Sequence, residues 1–318
     1  MKVIVQIPCL NEETTLPLVF AKMPRQIPGV DNLEFMVIDD GSTDRTVEVA
    51  RELGVQHFVS HARNMGLGRS FHDGVQRALE LGADILVNTD GDNQYPSESI
   101  AALIQPILVG HADIVIADRQ VKDIAHFSPA KKLLQKLGSR VVNAAAATDI
   151  PDAASGFRAY SRESLVRLNT VTRFSYCMET IIQAGNKRLS IVSIPVRTNP
   201  KTRESRLFSR ASEHVFKSGA AIARSFLMYR PLALFMSAGT LLTIIGLVPF
   251  LRFIYFQYFA QSSTGVSRHI QSLLAGSVLL IAAFLSFALG IIAELIRINR
   301  SLIEDGLEIQ KRQLHPHG

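Results

Sequence analysis

Two stretches without a formal charge, Leu232 to Leu251 and Ile270 to Ala293, constrain this chain more than any other feature. Each is at least as long as the ~20 residues a helix needs to cross ~30 Å of hydrocarbon. Core helices of soluble domains are seldom so long and so apolar, so residues 231–300 read as a membrane hairpin with spans at about 232–254 and 270–296. Phe253, Tyr255, Phe256, Tyr258 and Phe259 follow the first span, as expected of aromatics at a membrane interface. Lys217, Arg224 and Arg230 precede the hairpin and Arg297, Arg300, Lys311 and Arg312 follow it, against Arg252 and Arg268 in the connection. By the positive-inside tendency the N-terminal region and the tail, 301–318, are expected on the cytoplasmic side, with a bacterial inner membrane as the setting. The chain opens on the strand-like run Val3–Ile7, not on the basic-then-apolar plan of a secretion signal.

The first 210 residues are long enough for a domain of their own. Apolar runs at Val3–Ile7, Phe35–Ile38, Val55–Ser60, Ala83–Val87, Ile114–Ile116 and Ile191–Val196 read as strands. Helical patterns fall between them, from about Thr14, after Asp44 to Leu53, over Gly66–Leu81, through Lys131, Lys132, Lys136 and Arg140, and from Phe174. Alternation of this kind predicts an α/β domain with a mostly parallel sheet covered on both faces. Ligands then bind beyond the carboxyl ends of the strands, where Asn11, Asp39 and Asp90 fall. Residues 211–230 carry Val215, Ile222, Phe226 and Tyr229 at helical spacing, an amphipathic juxtamembrane helix that hands the chain to the first span.

The stretch Asp90-Gly91-Asp92-Asn93-Gln94-Tyr95-Pro96 has the sharpest chemistry. If the preceding strand runs on, Asp90 and Asp92 point to one side, and two such carboxylates repel unless a cation lies between them. With the Gln94 amide they suit Mg²⁺ or Mn²⁺ shared with substrate phosphates, and Gly91 lets a ligand approach the backbone. Ordinary turn chemistry is the plainer reading of the same residues. A calcium loop fails, because Tyr95 and Ala101 stand where an EF-hand needs Gly and Glu.

Other classes are excluded on similar grounds. Glycines at 66 and 68 lack the third at 71, which is Phe71, so no dinucleotide fingerprint forms, and no P-loop motif occurs. Cys9 and Cys177 match no metal or redox spacing. The charge of +6 and pI near 9.4 come without a nucleic-acid motif, and attraction to anionic lipid and phosphate accounts for them. Basic segments around Arg140 and over Lys201, Arg203 and Arg206 fit an anionic ligand, although solvated faces are their commoner origin. Gly239, Gly246, Gly276 and Gly290 suit helix packing, between protomers of a homo-oligomer or within one hairpin.

Taken in order, Asn11-Glu12-Glu13, Ile38-Asp39-Asp40-Gly41-Ser42-Thr43-Asp44, Asp90-Gly91-Asp92-Asn93-Gln94-Tyr95-Pro96, Ser155-Gly156-Phe157-Arg158 and Glu204-Ser205-Arg206-Leu207-Phe208 resemble family 2 glycosyltransferases. The chain is most similar to the polyprenyl-phosphate group related to dolichol-phosphate mannose synthase, over roughly its first 230 residues. The resemblance implies a GT-A fold using a nucleotide-sugar, a divalent metal and a polyprenyl phosphate. By motif, Pro8, Asn11, Glu12 and Asp39 would border the nucleoside. Asp90, Gly91, Asp92 and Gln94 would meet the diphosphate and metal, and Arg140, Arg158 and Arg206 would receive the lipid phosphate. Asp152 stands where some relatives have a catalytic aspartate. A phosphate acceptor is mostly dianionic at pH 7, so a general base is less needed and Asp152 instead positions a basic residue or acts as base. The rivals are a family 2 enzyme with another lipid or polysaccharide acceptor, and an inactive transferase-like assembly partner.

Overall fold

Strand β1 (Lys2–Cys9) is the axis of the sheet. Val3, Ile4, Val5 and Ile7 are completely buried, the continuous burial of a strand covered on both faces. It pairs in parallel with β2 (Asn32–Asp39) on one side and β4 (Ile85–Asn88) on the other. β3 (His57–Ser60) extends the sheet beyond β2, and β5 (Ile114–Asp118) pairs in parallel with β7 (Ile191–Pro195). Between β4 and β5 lies β6 (Arg158–Ser161), antiparallel to both. The order β3-β2-β1-β4-β6-β5-β7 is therefore mixed, the parallel sheet expected from sequence with one reversed strand inserted.

This computed structural model describes residues 1–121, 129–170, 176–200, 227, 230–258 and 267–316. They divide into two units, Met1–Ser225 with Glu304–Gly318, and Phe226–Ile303. The expected juxtamembrane helix and Arg206 lie outside the described residues, apart from positions 227 and 230 of the former.

In the first unit the helices are α1 (Leu16–Ala21), α2 (Thr46–Glu52), α3 (Leu67–Glu80), α4 (Ile100–Leu108), α5 (Pro129–Ala146), α6 (Arg162–Arg167) and α7 (Tyr176–Asn186). Helix α3 buries Phe71, Gly74, Val75, Ala78 and Leu79, the i, i+3, i+4 stripe of an amphipathic helix. Two glycines set close crossings. A Cβ on Gly74 would fall 2.2 Å from the Gln6 side-chain oxygen, and one on Gly185 would fall 2.1 Å from the Ala146 carbonyl oxygen. The second contact is backbone against helix, so α7 approaches α5 as closely as it does only because residue 185 has no side chain.

Residues 304–314 continue a helix and pack within this unit, whereas the sequence suggested a tail. Lys187 meets Glu304 at 3.7 Å, Arg312 meets Glu163 at 2.6 Å, and Arg162 donates to the His315 carbonyl at 2.6 Å. Lys311, buried, donates to the Leu168 carbonyl at 2.8 Å.

The second unit holds α8 (Pro231–Tyr258) and the first part of α9 (Ser267–Leu314). Both are long and apolar enough to cross a membrane, and their apolar side chains are largely exposed, Leu274 and Phe284 by 69% and 71%. The four glycines pack inside this hairpin: Gly239 against Phe287, Gly246 against Leu279 and Leu280, Gly276 against the Gly246 carbonyl, and Gly290 against Phe235. Packing within one hairpin, one of the two uses open from sequence, is thus seen for all four.

Two outcomes follow for stability. Gly185→Ala forces α5 and α7 apart and is expected to cost about 3 kcal/mol in denaturant unfolding, the upper range for overpacking. Burial, helped by Lys187 and opposed by Glu308, lowers the Lys311 pKa from 10.5 to about 8. The folded state then binds fewer protons than the unfolded chain between those values, a penalty of about 3 kcal/mol at pH 7 that disappears as pH rises to 10.5. Lys311→Met is therefore expected to raise the melting temperature at pH 7 and to lower it only at about pH 11.5, where both states are deprotonated and the lost bond to Leu168 is what counts.

Candidate active site

β1, β2 and β4 run the same way and stop together, with Cys9 beside Asp39 and Gln6 beside Asn88. Their following loops are thrown onto one edge. Asn11, in a left-handed conformation at φ 57°, accepts the Thr43 N–H at 2.7 Å, and its own N–H donates to Ser42 Oγ at 2.9 Å. The Glu12 N–H donates to Thr46 Oγ1 at 2.7 Å, and the buried Glu12 carboxylate accepts the Thr15 hydroxyl at 2.6 Å. Asp39 accepts the Ser42 N–H at 3.0 Å. Pro8, Asn11, Glu12 and Asp39 are thus brought together by the ends of two adjacent strands.

A third loop closes this corner. Asp40 accepts the N–H groups of Met65 and Gly66 at 2.8 and 3.0 Å and meets His61 Nδ1 at 2.7 Å. The other ring nitrogen of His61 meets Asp73 at 3.1 Å. Gly41, at φ +81°, lets the Arg63 backbone pass where a Cβ would be 2.7 Å away. The glycine-rich segment 63–69 therefore serves as a wall of the corner, and His61 is its strut.

The Asp90–Gln94 stretch differs from its expected geometry. β4 ends at Asn88, so the alternation of strand side chains does not reach Asp90 and Asp92. Asp92 instead accepts the Gln94 N–H at 3.0 Å, with Asn93 left-handed at φ 59°, an Asx turn. Asp90, Asp92 and Gln94 are all half-buried at this edge. Gly91 faces inward: a Cβ there would lie 3.1 Å from Cys9 Sγ and 3.3 Å from Glu12 Cγ. Its missing side chain lets the turn pack closely onto β1. Among the described residues no group of three His, Cys, Asp or Glu side chains forms a metal site. The hard oxygens of Asp90, Asp92 and Gln94 fit a cation that draws its remaining ligands from phosphates.

The cations fare differently. Arg158 is completely buried and its guanidinium is consumed internally. It donates to the carbonyls of Ser155, Cys177 and Ala153 and to Thr180 Oγ1 at 2.7–2.9 Å. It cannot receive an acceptor phosphate as expected, because no face of its fork reaches solvent. Arg140 is exposed on α5, next to Ser139, whose hydroxyl accepts the Ala153 N–H at 3.2 Å. Asp152, 2% exposed, forms a bidentate pair with Arg119 at 2.6 and 2.9 Å. Burial opposes the Arg119 charge, and Tyr95 and Asp152 more than offset it, so its pKa stays above the ordinary value. Asp152 is thus paired with a basic residue. Sequence reasoning passed over Arg119, although a polar residue directly after an apolar strand is the signal used for Asp39 and Asp90.

The profile of the family described as Glycosyl transferase family 2 matches residues 4–168, more than half of the 318. The chain belongs to glycosyl transferase family 2. It is 30% identical over 214 residues to UDP-N-acetylglucosamine–dolichyl-phosphate N-acetylglucosaminyltransferase of Methanococcus voltae, covering 60% of this chain and 83% of that one. To polyprenol monophosphomannose synthase of Mycolicibacterium smegmatis it is 29% identical over 206 residues, covering 61% and 76%. The fold resembles glucosyl-3-phosphoglycerate synthase of Mycobacterium tuberculosis, crystallised with Mn²⁺, UDP and phosphoglyceric acid, at TM-score 0.53 and 22% identity over 70% and 78% of the chains. The mixed seven-stranded sheet with its flanking helices is accordingly GT-A-like, followed by two apolar C-terminal helices.

Removing one partner of the family 2 site's buried pair leaves an uncompensated charge. Asp152→Ala is expected to cost about 3–5 kcal/mol in unfolding free energy, and Arg119→Met combined with Asp152→Leu to recover most of it.

Proposed function

We propose that this chain is a membrane-anchored, metal-dependent, inverting glycosyltransferase. It moves a sugar from a UDP- or GDP-sugar to a polyprenyl phosphate on the cytoplasmic leaflet. The observation that carries the reading is the convergence of the β1, β2 and β4 loops with the buried Arg119–Asp152 pair on one sheet edge. Relatives named for transfer to dolichyl phosphate and for polyprenol monophosphomannose synthesis support the acceptor class.

The nucleoside lies in the corner of Pro8, Asn11, Glu12 and Asp39, walled by the His61 loop. Its diphosphate extends to Asp90, Asp92 and Gln94. A divalent cation there, Mg²⁺ or Mn²⁺, supplies charge neutralisation for the departing diphosphate, worth several kcal/mol. The chain's own cations receive the acceptor. Arg119, dehydrated and held in one orientation by Asp152, presents a preset positive charge. Arg140, exposed on α5, and Arg206, outside the described residues, complete the phosphate site. A phosphate monoester with a second pKa near 6 needs little help in losing its proton at pH 7. Asp152 therefore orients Arg119, and attack from the face opposite the leaving diphosphate inverts the anomeric centre. The two apolar helices account for the membrane, since a polyprenyl chain cannot leave hydrocarbon cheaply.

The test is a radiolabelled transfer assay with the detergent-solubilised full chain, undecaprenyl phosphate and a panel of UDP- and GDP-sugars. An organic-extractable product that EDTA abolishes is the expected result, and Asp92→Ala should lower its rate by at least about 100-fold, in keeping with several kcal/mol of metal stabilisation. Product formation unaffected by EDTA would remove the metal from the reading. Nucleotide binding without any lipid product would remove the acceptor.

A further inference from the structure

The chain that leaves β7 returns to the Asp92 turn. β6 is antiparallel to both β4 and β5, and β7 is parallel to β5, so β4, β5 and β7 all end at one edge of the sheet. The Val196 N–H donates to the Asp118 carbonyl at 2.8 Å and keeps the chain at that edge. Asn199 then reaches the turn. Its N–H donates to the Gln94 carbonyl at 2.9 Å. Its Nδ2 donates to the Asn93 carbonyl at 3.0 Å and, at 3.4 Å each, to Asn93 Oδ1 and the Tyr95 carbonyl.

One peptide unit of the turn is gripped from both ends. The Asn93 carbonyl accepts Asn199 Nδ2, and the N–H of the same unit, that of Gln94, donates to Asp92 Oδ1 at 3.0 Å. An unbroken line of hydrogen bonds across one planar amide thus joins Asn199 to the Asp92 carboxylate. The next unit is held through the Gln94 carbonyl, so the Gln94 Cα stands between two fixed planes. That sets the direction in which its side chain leaves the backbone. Asn93 itself is left-handed at φ 59°, a conformation that persists where the surroundings over-determine it. Asn199 supplies this from across the edge. Pro200 follows it and biases the Asn199 backbone toward extended conformations, which stiffens the clamp.

We propose that Asn199 is a positioning residue of the donor site: it holds the Asp92–Gln94 turn in the shape that presents the Asp92 carboxylate and the Gln94 amide together to a divalent cation and a diphosphate. The inference rests on the roles proposed above for Asp92 and Gln94. A cation binds more tightly where its ligands are already ordered, and the partners behind those ligands set that order. Loss of the clamp therefore acts first on cation affinity. The rate at saturating cation changes little, because the bonds Asn199 makes all end on the turn.

Asn199→Ala removes the side-chain donor and keeps the backbone N–H. Mn²⁺ binding to the full chain, followed by electron paramagnetic resonance in the presence of UDP or GDP, is expected to weaken about tenfold, while kcat at saturating Mn²⁺ in the transfer assay stays within about twofold. Hydrogen–deuterium exchange over residues 90–96 of the metal-free protein is expected to quicken about fivefold or more. Asn199→Leu keeps the volume without the donor and should give the same results, which keeps the test decisive if the alanine variant folds poorly. Unchanged Mn²⁺ affinity in a folded variant, whatever the exchange rate, overturns the proposal and leaves the donor-site reading standing. Weaker Mn²⁺ binding with unchanged exchange overturns it too, since the effect then does not pass through the turn. A wild type that binds no Mn²⁺ with either nucleotide overturns both.

Discussion

Parallel pairing of β1 with β2 and with β4 is the constraint on which the rest depends. The registers place Cys9 against Asp39 and Gln6 against Asn88, so the three strands end within three residues of one another. Three loops that share no sequence neighbourhood thereby reach one edge. A slip of one residue in β1 would turn its buried run to the wrong faces and carry Asn11 and Glu12 out of reach of Ser42 and Thr46. Complete burial of Val3, Ile4 and Val5 makes that slip costly. The loop-to-loop bonds then need only refine a position that the sheet has already set.

Inserting β6 antiparallel between β4 and β5 has a different effect. A reversed strand begins where its neighbours end, so the residues before β6 arrive at the same edge from the opposite direction. That is how Asp152 and Gly156 come to face Arg119 and Asp90, which follow β5 and β4. An all-parallel sheet would have sent the approach to that strand to the far side. The reversal thus joins the β1, β2 and β4 loops to the Arg119–Asp152 pair.

What was legible in the sequence follows from which physics is local. Runs such as Val3–Ile7 and Ile114–Ile116 announce strands because burial on both faces demands unbroken apolar residues. The helical stripe of α3 is equally plain. β6 was not legible: it is four residues, Arg158-Ala159-Tyr160-Ser161, whose arginine and tyrosine are buried and which shows neither an apolar run nor an apolar-polar alternation. α4 is apolar with Pro106 inside it, a short run whose composition does not separate helix from strand. The site was legible at its strand ends and misleading at its turn. Strand periodicity was carried two residues too far at Asp90 and Asp92, where an Asx turn takes over. Arg119 escaped because its meaning comes from a partner 33 residues away.

The two buried arginines show why residue type alone could not assign the acceptor site. Arg158 spends four donors on neutral oxygens, so its charge is spread into carbonyl dipoles that tie the 153–155 loop to α7. A phosphate would have to break those bonds and cross the protein to reach it, at a cost no single ion pair repays. Arg119 faces one carboxylate in a bidentate fork, which fixes its plane and removes the need to reorganise when an anion approaches. Pairing weakens the field that Arg119 projects, but it leaves the guanidinium ordered and already dehydrated. In the proposed reaction, whose acceptor is a dianion that brings its own charge, a fixed and partly neutralised cation is more useful than a mobile one, because ordering is the larger cost.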